Sequence, residues 1–424
     1  MYLVGAGRVF GYDSAVTFAN FIATPSLIDA FAVRTQQATI PLAQIAGNDH
    51  VLLSLLEHLI YSATGTRSEV VYRVLPALAA GGAVGVMAWA LAQRFGLLAG
   101  GAAGVYLATV PMFVENSRDL RGYSLATFFA VTATVLFLMP DRMRSPRWRL
   151  VYGVLIGCAV AAHAYAGLVL VANVVWVLAR RSWPDFVRFL PAWSVAAAIA
   201  VVTNGYILYV DVTQHGFLPK QFTPTFPRDL LFYLLGEPSL LAMGVFLSIA
   251  GLGLWAARRV REMWIGVALV TATAAVMWLV IQPYYLYPRF FTFALPGCAF
   301  LVAAAVQRWK VLAPVALIGA VSMAIIEVPG YTQDPLALRQ AAAIVERDSA
   351  RGENVCLVHS DEQVLGAYAA SGFTVVTSAD QLEQCTEVIV VSWGIDIPLR
   401  DEAARRFARA TLIPAAYPTV VLER

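Results

Sequence analysis

Long runs of uncharged apolar residues recur along most of this 424-residue chain, and they limit what it can fold into. A bilayer-crossing helix needs about 20 such residues. Leu75–Leu91 is the first convincing span, and further spans are expected at about 97–114, 123–139, 150–163, 166–179, 189–209, 238–257, 263–281, 290–306 and 311–328. The pair 150–163 and 166–179 is short. Only 13% of the residues are charged, against roughly 25% in an ordinary soluble domain, so the chain reads as a polytopic membrane protein of about ten spans.

Basic residues alternate by loop. One set of loops holds Arg94, Arg142, Arg144, Arg147, Arg149, Arg180, Arg181, Arg188, Arg258, Arg259, Arg261, Arg308 and Lys310. The opposite set holds chiefly Arg118, Arg121, Lys220, Arg228 and Arg289. By the positive-inside rule the first set is cytoplasmic, which puts the Asp13 loop, the Arg118–Arg121 loop, the 210–236 loop and Tyr284–Arg289 outside. The net charge of +3 is too small to suggest nucleic acid as a partner. Almost every basic residue is Arg, which with abundant Ala and Val hints at a GC-rich genome; the expected location is a bacterial plasma membrane, with the site and the C-terminal domain outside.

Residues 1–12 hold only a short apolar stub without the pattern of a cleavable signal peptide. Residues 13–70 are mixed. Thr24-Pro25-Ser26 opens a helix, and Val51–Tyr61 forms an amphipathic one, with Glu57 and His58, that lies in the interface plane. After Tyr331 the composition changes. Helices are expected over Pro335–Ser349, Asp361–Ser371 and Arg400–Ala410, and strands over Asn354–His359, Phe373–Thr377 and Glu387–Ser392. Such alternation describes a small α/β domain, accessory and outside because it follows an outward-going span. Cys356 and Cys385 can form a disulfide there. Cys158 and Cys298, within apolar runs, read as packing residues. The expected division is 1–330 for the membrane domain, with an outer loop over 8–70, and 331–424 for the α/β domain.

The chemistry concentrates in Glu115-Asn116-Ser117-Arg118-Asp119-Leu120-Arg121-Gly122-Tyr123, between two apolar runs. A charged side chain costs about 2.5–3.5 kcal/mol at a bilayer centre, so this stretch belongs at a membrane face. Two carboxylates, two guanidiniums and a phenol exceed what a turn needs. Each candidate also has a plainer reading. Asp13 and Asp49 can cap helices, Arg118–Arg121 can be a solvated turn, His163 can be satisfied structurally, and Tyr284, Tyr285 and Tyr287 can form an interfacial belt. Together, carboxylates, arginines and aromatics beside lipid suit a reaction with a lipid-linked phosphate as leaving group. Arg binds phosphate oxygens through charge-assisted bonds of ~1.5–3 kcal/mol, and a carboxylate deprotonates an attacking hydroxyl. Phosphate leaves as a stable anion, so no strong general acid is required, in contrast to a glycosidase.

An ordered series of segments over roughly 8–330 resembles the membrane-embedded glycosyltransferases of the GT-C class, the branch with protein O-mannosyltransferases and the aminoarabinose transferase of lipid A. Gly11-Tyr12-Asp13-Ser14-Ala15 stands where that pattern carries an Asp-Glu pair in its first outer loop. Asn48-Asp49-His50-Val51-Leu52-Leu53, then Gly65-Thr66-Arg67-Ser68-Glu69 and Arg73-Val74-Leu75-Pro76, follow in order. Asp119, Arg121 and Tyr123 match its second outer loop, Ala162-His163-Ala164-Tyr165 a Thr-His-Tyr-like step, and Pro288-Arg289-Phe290-Phe291 a Pro-Arg-Tyr segment before a span.

The resemblance implies Asp13 as base for the acceptor hydroxyl and Asp119 as its support. It implies Arg121 and Arg289 as the donor-phosphate ligands, with Asp49, His50, Tyr123 and His163 lining the site. Two departures stand out. Ser14 replaces the second acid, and the family's first span is absent, which implies either a start further upstream, the favoured reading, or a truncated and inactive copy. The implied reaction is inverting transfer of a sugar from a polyprenyl-phosphate donor to a glycan, lipid or protein hydroxyl on the outer face. Asp13 and Asp119 could share a divalent cation, but no metal-type ligand spacing points to a tight one. Polar residues gather at one face without an inverted repeat, which argues against a lipid or sugar transporter. A noncatalytic polyprenyl-lipid-binding protein is the remaining alternative.

Overall fold

The computed structural model describes residues 2–3, 6–32, 49–179, 183–214, 224–258, 287–332, 337–358, 364–369, 372–391, 397–414 and 419–424. The expected span 263–281 and the aromatic run Tyr284-Tyr285 lie outside these residues. The chain is mostly helical and divides into two compact units. One comprises Met1–Val4, His50–Leu53 and Val74–Tyr331; the other comprises Gly5–Asp49, Ser54–Arg73 and Thr332–Arg424.

The first unit is built from helices. Five among the described residues are long and apolar enough to cross a membrane: Glu69–Phe95, Trp183–Val210, Leu240–Ala257, Pro288–Arg308 and Leu312–Gly330. Shorter apolar helices include Leu97–Thr109, Tyr123–Phe137 and Ala164–Leu178. Their outward faces are apolar; Val201 and Val202, for example, are 71% and 72% exposed, as expected where lipid replaces water as solvent.

One expected span is interrupted at a proline, and another opens as a 3-10 turn. The 97–114 run breaks at Val110, which is extended because it precedes Pro111, and a new helix Pro111–Asn116 starts there. The run before Arg308 opens as a 3-10 turn over Pro288–Ala294 and becomes α-helical at Leu295. Where helices cross closely, small residues make room. A Cβ on Gly153 would sit 2.3 Å from the Ala192 carbonyl oxygen.

The second unit holds a five-stranded sheet in the order β2-β1-β3-β5-β4. Its strands are β1 (Val355–Val358), β2 (Thr374–Val376), β3 (Glu387–Val391), β4 (Arg409–Ile413) and β5 (Thr419–Glu423). β1 pairs in parallel with β2 and β3, while β5 pairs antiparallel with β3 and β4. β3 is buried along its whole length, which explains its unbroken apolar run Val388–Val391. Leu382, Val388, Val390, Leu399, Ala403 and Phe407 pack in the core, together with the disulfide-bonded Cys356 and Cys385. The helix expected over 400–410 instead spans Ile397–Arg406, because Arg409–Ile413 joins the sheet as β4.

Glu387 begins β3 and is buried. Burial first, then the nearby carboxylates of Asp348, Glu423 and Glu353, push its acid up to about 7. Asp348 is held below the usual carboxylate range, chiefly by its hydrogen bonds from Arg347. A raised carboxyl stabilises the fold below its unfolded pKa near 4.5, and that stability is lost as pH rises through about 7. Glu387→Gln is therefore expected to stabilise this unit by about 1–3 kcal/mol at pH 8 and to do little at pH 5. Thermal melting of the full-length protein at both pH values, with proteolysis of the C-terminal region as a local probe, checks this.

Candidate active site

In the first unit, four separate segments converge on one cluster: His50, the loop Glu115–Tyr123, Ala162–Tyr165 and Tyr287–Phe290. The loop follows the short helix Pro111–Asn116, whose C-cap is Ser117. It tightens through a bond from Arg121 N–H to the Asp119 carbonyl at 2.7 Å, then enters helix Tyr123–Phe137 with Gly122 as N-cap. The loop is not a solvated turn. Arg118 is 0% exposed and Arg121 4%, while Asp119 is partly exposed.

Arg121 sets the chemistry of His50. Its Nη1 lies 3.2 Å from His50 Nε2, and His50 Nδ1 lies 3.0 Å from the Ala162 carbonyl oxygen. A guanidinium only donates and a carbonyl only accepts. His50 must therefore be neutral, with its proton on Nδ1 and a lone pair on Nε2. Burial comes first in lowering its pKa well below the usual value, followed by the charge of Arg121, then His163 and Arg289.

His163 has the other tautomer. Its Nδ1 accepts from the Tyr165 backbone N–H at 3.2 Å, which leaves the proton on Nε2. Burial, then Arg121 and Arg289, push its pKa down to about 3. The rings of His50, Tyr123 and His163 lie 4.8–5.4 Å apart, and Phe290 packs 5.7 Å from His163 and 6.5 Å from Tyr123. Arg289 stacks its guanidinium 4.7 Å from the centre of the Tyr287 ring. Nearby, Tyr233 donates to Glu115 Oε2 at 2.9 Å; burial and then that carboxylate hold its phenol well above the usual range. Two permanent cations around two neutral imidazoles and a wall of rings suit an anion with an apolar portion.

Of the residues expected to form the site, the structure brings together His50, Arg121, Tyr123 and His163, with Arg289 near enough to depress both histidines. Asp13 and Asp49 belong to the second unit. Asp13 occupies the first turn of helix Tyr12–Thr17, with Gly11 rather than Asp13 as N-cap, and a π-helical turn Phe18–Ile22 follows directly. Asp49 is buried and accepts from Ser54 Oγ at 2.9 Å. Among the described residues, no three His, Cys, Asp or Glu side chains group so as to hold a metal ion.

Sequence reasoning gave no role to Phe290, Tyr165, Tyr233 or Gly122. Gly122 matters most. A Cβ there would lie 1.9 Å from the Ala162 oxygen and 3.1 Å from His50 Cβ. Only glycine lets the Arg121 loop approach the carbonyl that orients His50. A glycine placed between a charged loop and an apolar helix is the one signal that could have marked it.

The fold is that of the GT-C membrane glycosyltransferases. ArnT from Cupriavidus metallidurans in the apo state superposes with a TM-score of 0.63 at 14% identity, over 99% of this chain and 94% of that one. ArnT bound to undecaprenyl phosphate gives 0.61 at 15% identity, over 99% and 95%. The archaeal oligosaccharyltransferase AglB from Archaeoglobus fulgidus, in complex with an inhibitory peptide and a dolichol-phosphate, gives 0.55 at 12% identity, over 91% and 66%. At these identities the likeness is one of fold. No family model matches the sequence, and no curated protein matches it.

Gly122→Ala is expected to force the loop off the Ala162 carbonyl and break the His50 orientation. Overpacking of this kind typically costs about 1–3 kcal/mol. A lowered melting temperature in Gly122→Ala, beside an unchanged one in Gly101→Ala, where a Cβ meets nothing within 4 Å, checks it.

Proposed function

We propose that this protein is an inverting glycosyltransferase that moves a sugar from a polyprenyl-phosphate donor to a hydroxyl on a glycan, lipid or protein. The observation that carries the reading is the buried Arg121–His50–His163–Tyr123 cluster with Arg289 beside it. The fold it sits in is also found in ArnT bound to undecaprenyl phosphate and in AglB in complex with a dolichol-phosphate.

Arg121 and Arg289 bind the donor phosphate and take up the charge that develops as the glycosidic C–O bond breaks. His163 donates from Nε2 to a phosphate oxygen, and Tyr123 lines the sugar side. Asp13 accepts the acceptor's proton as its oxygen attacks the anomeric carbon from the face opposite the phosphate, which inverts the configuration. Asp119 and Asp49 orient the acceptor and the loops. The isoprenoid tail lies in the bilayer against apolar helix faces.

The finer topology belongs to the same reading. The shorter apolar helices and the 263–281 run bring the spans to about ten, with the membrane domain over 1–330 and the α/β domain over 331–424. Loop charge puts the site and the α/β domain on the extracytoplasmic side of a bacterial plasma membrane. The Cys356–Cys385 disulfide supports an oxidising compartment for that domain.

Radiolabelled polyprenyl-phosphate sugars, supplied one at a time to membranes containing the protein, test the proposal. Transfer to a new product is expected with at least one donor. Asp13→Asn should lower turnover about 10²- to 10⁴-fold, and Arg121→Ala should weaken the donor about 10- to 150-fold. Ser14, beside Asp13 where the class carries a second acid, favours one other reading, a noncatalytic polyprenyl-lipid-binding protein. Arg289-dependent lipid-phosphate binding without consumption of any donor would establish that reading instead.

A further inference from the structure

Residues 6–10 precede the Asp13 helix and form no helix or strand, yet side chains satisfy five consecutive backbone positions. Arg73 is 1% exposed and donates through Nη1 to the Ala6 carbonyl at 2.5 Å and to that of Arg8, and through Nη2 to that of Val9 at 3.1 Å. Arg339 donates to the Gly7 carbonyl at 2.5 Å. The Phe10 N–H donates to Tyr368 Oη at 2.6 Å.

Two of the three clamping side chains are joined through one carboxylate. Tyr368 Oη donates to Glu69 Oε1 at 3.0 Å, and Arg339 Nη2 donates to the same oxygen at 2.7 Å. Phe10 packs its ring between Arg73, 5.5 Å away, and Tyr368, 6.1 Å away. Arg67 adds a bond to the Ala367 carbonyl at 3.3 Å. Arg339 and Tyr368 both come from the C-terminal region, and all these residues lie within the second unit. Buried backbone groups must be paired; Arg73 serves three of these positions, and the partners of Gly7 and Phe10 come from chain more than 300 residues away.

We infer that the C-terminal α/β region is a working part of the transferase: Arg339 and Tyr368, with Glu69 and Arg73, hold residues 6–10 in one conformation and so position Asp13. They are positioning residues, since the clamp ends at Phe10, three residues before the carboxylate. The inference rests on Asp13 being the base. It deepens that reading by giving the α/β region a role in turnover.

The test uses the full-length protein. Arg339 is half-exposed, so Arg339→Ala is the mild cut; Tyr368→Phe removes the acceptor of the Phe10 N–H. Hydrogen exchange is measured across the chain, and kcat and KM are measured with the polyprenyl-phosphate sugar. Both variants are expected to speed exchange in peptides covering 5–17 and to lower kcat about tenfold or more, with donor KM unchanged. Arg339→Lys should recover part of the loss, and Arg339→Ala should cost nothing further in an Asp13→Asn background. Unchanged exchange over 5–17, or faster exchange with kcat intact, overturns the inference. Turnover that survives Asp13→Asn instead removes the base assignment, and with it the catalytic consequence of the clamp, while the exchange result still reports whether the α/β region holds the segment.

Discussion

A guanidinium keeps its charge at any working pH, and the candidate site follows from that. Arg121 is buried in its loop, so it must be matched by acceptors or by a negative ligand. His50 supplies an acceptor only as the Nδ1–H tautomer, and the Ala162 carbonyl enforces that tautomer. That carbonyl is within reach only because residue 122 has no side chain. Removing any one of these parts leaves a buried donor or acceptor without its partner, a loss of about 1–3 kcal/mol.

The same arrangement keeps both histidines uncharged. Burial comes first in keeping them neutral, and each added proton would also face two fixed cations. A cluster with permanent positive charge and neutral imidazole dipoles is preorganised for an anion and cannot offer a strong acid. This suits a reaction whose leaving group is already stable as an anion. A chemistry that must protonate an alkoxide would need a carboxylic acid of raised pKa in its place.

The second unit rests on a different device. Its N-terminal segment has no ladder of its own and borrows its hydrogen-bond partners from Arg73, Arg339 and Tyr368. Side chains from distant parts of the chain do what neighbouring strands do elsewhere. Such pairing is costly in chain entropy and gains little unless every member is satisfied, and two of the three side chains, Arg339 and Tyr368, are in turn held by one carboxylate, Glu69.

Apolar run length made the membrane class and most helices legible, and strand–helix alternation the strands over 354–359, 373–377 and 387–392, because those signals are local. The helix break at Pro111 was present as a proline, but whether a proline interrupts a span or opens a helix depends on the packing around it. Strands β4 and β5 were missed because antiparallel pairing is a long-range choice, and Arg409–Ile413 also continues a helical charge pattern. In the candidate site the residue types were readable: Arg121, His50, Tyr123 and His163 each stood out by chemistry. Their tautomers, their burial and the role of Gly122 were not, since those depend on which carbonyl lies opposite which side chain. Sequence thus determined the membrane class and which residue types stand in the candidate loop. Only tertiary structure decided which groups meet, because hydrogen-bond partners 70 to 360 residues apart are set by packing and by nothing nearer along the chain.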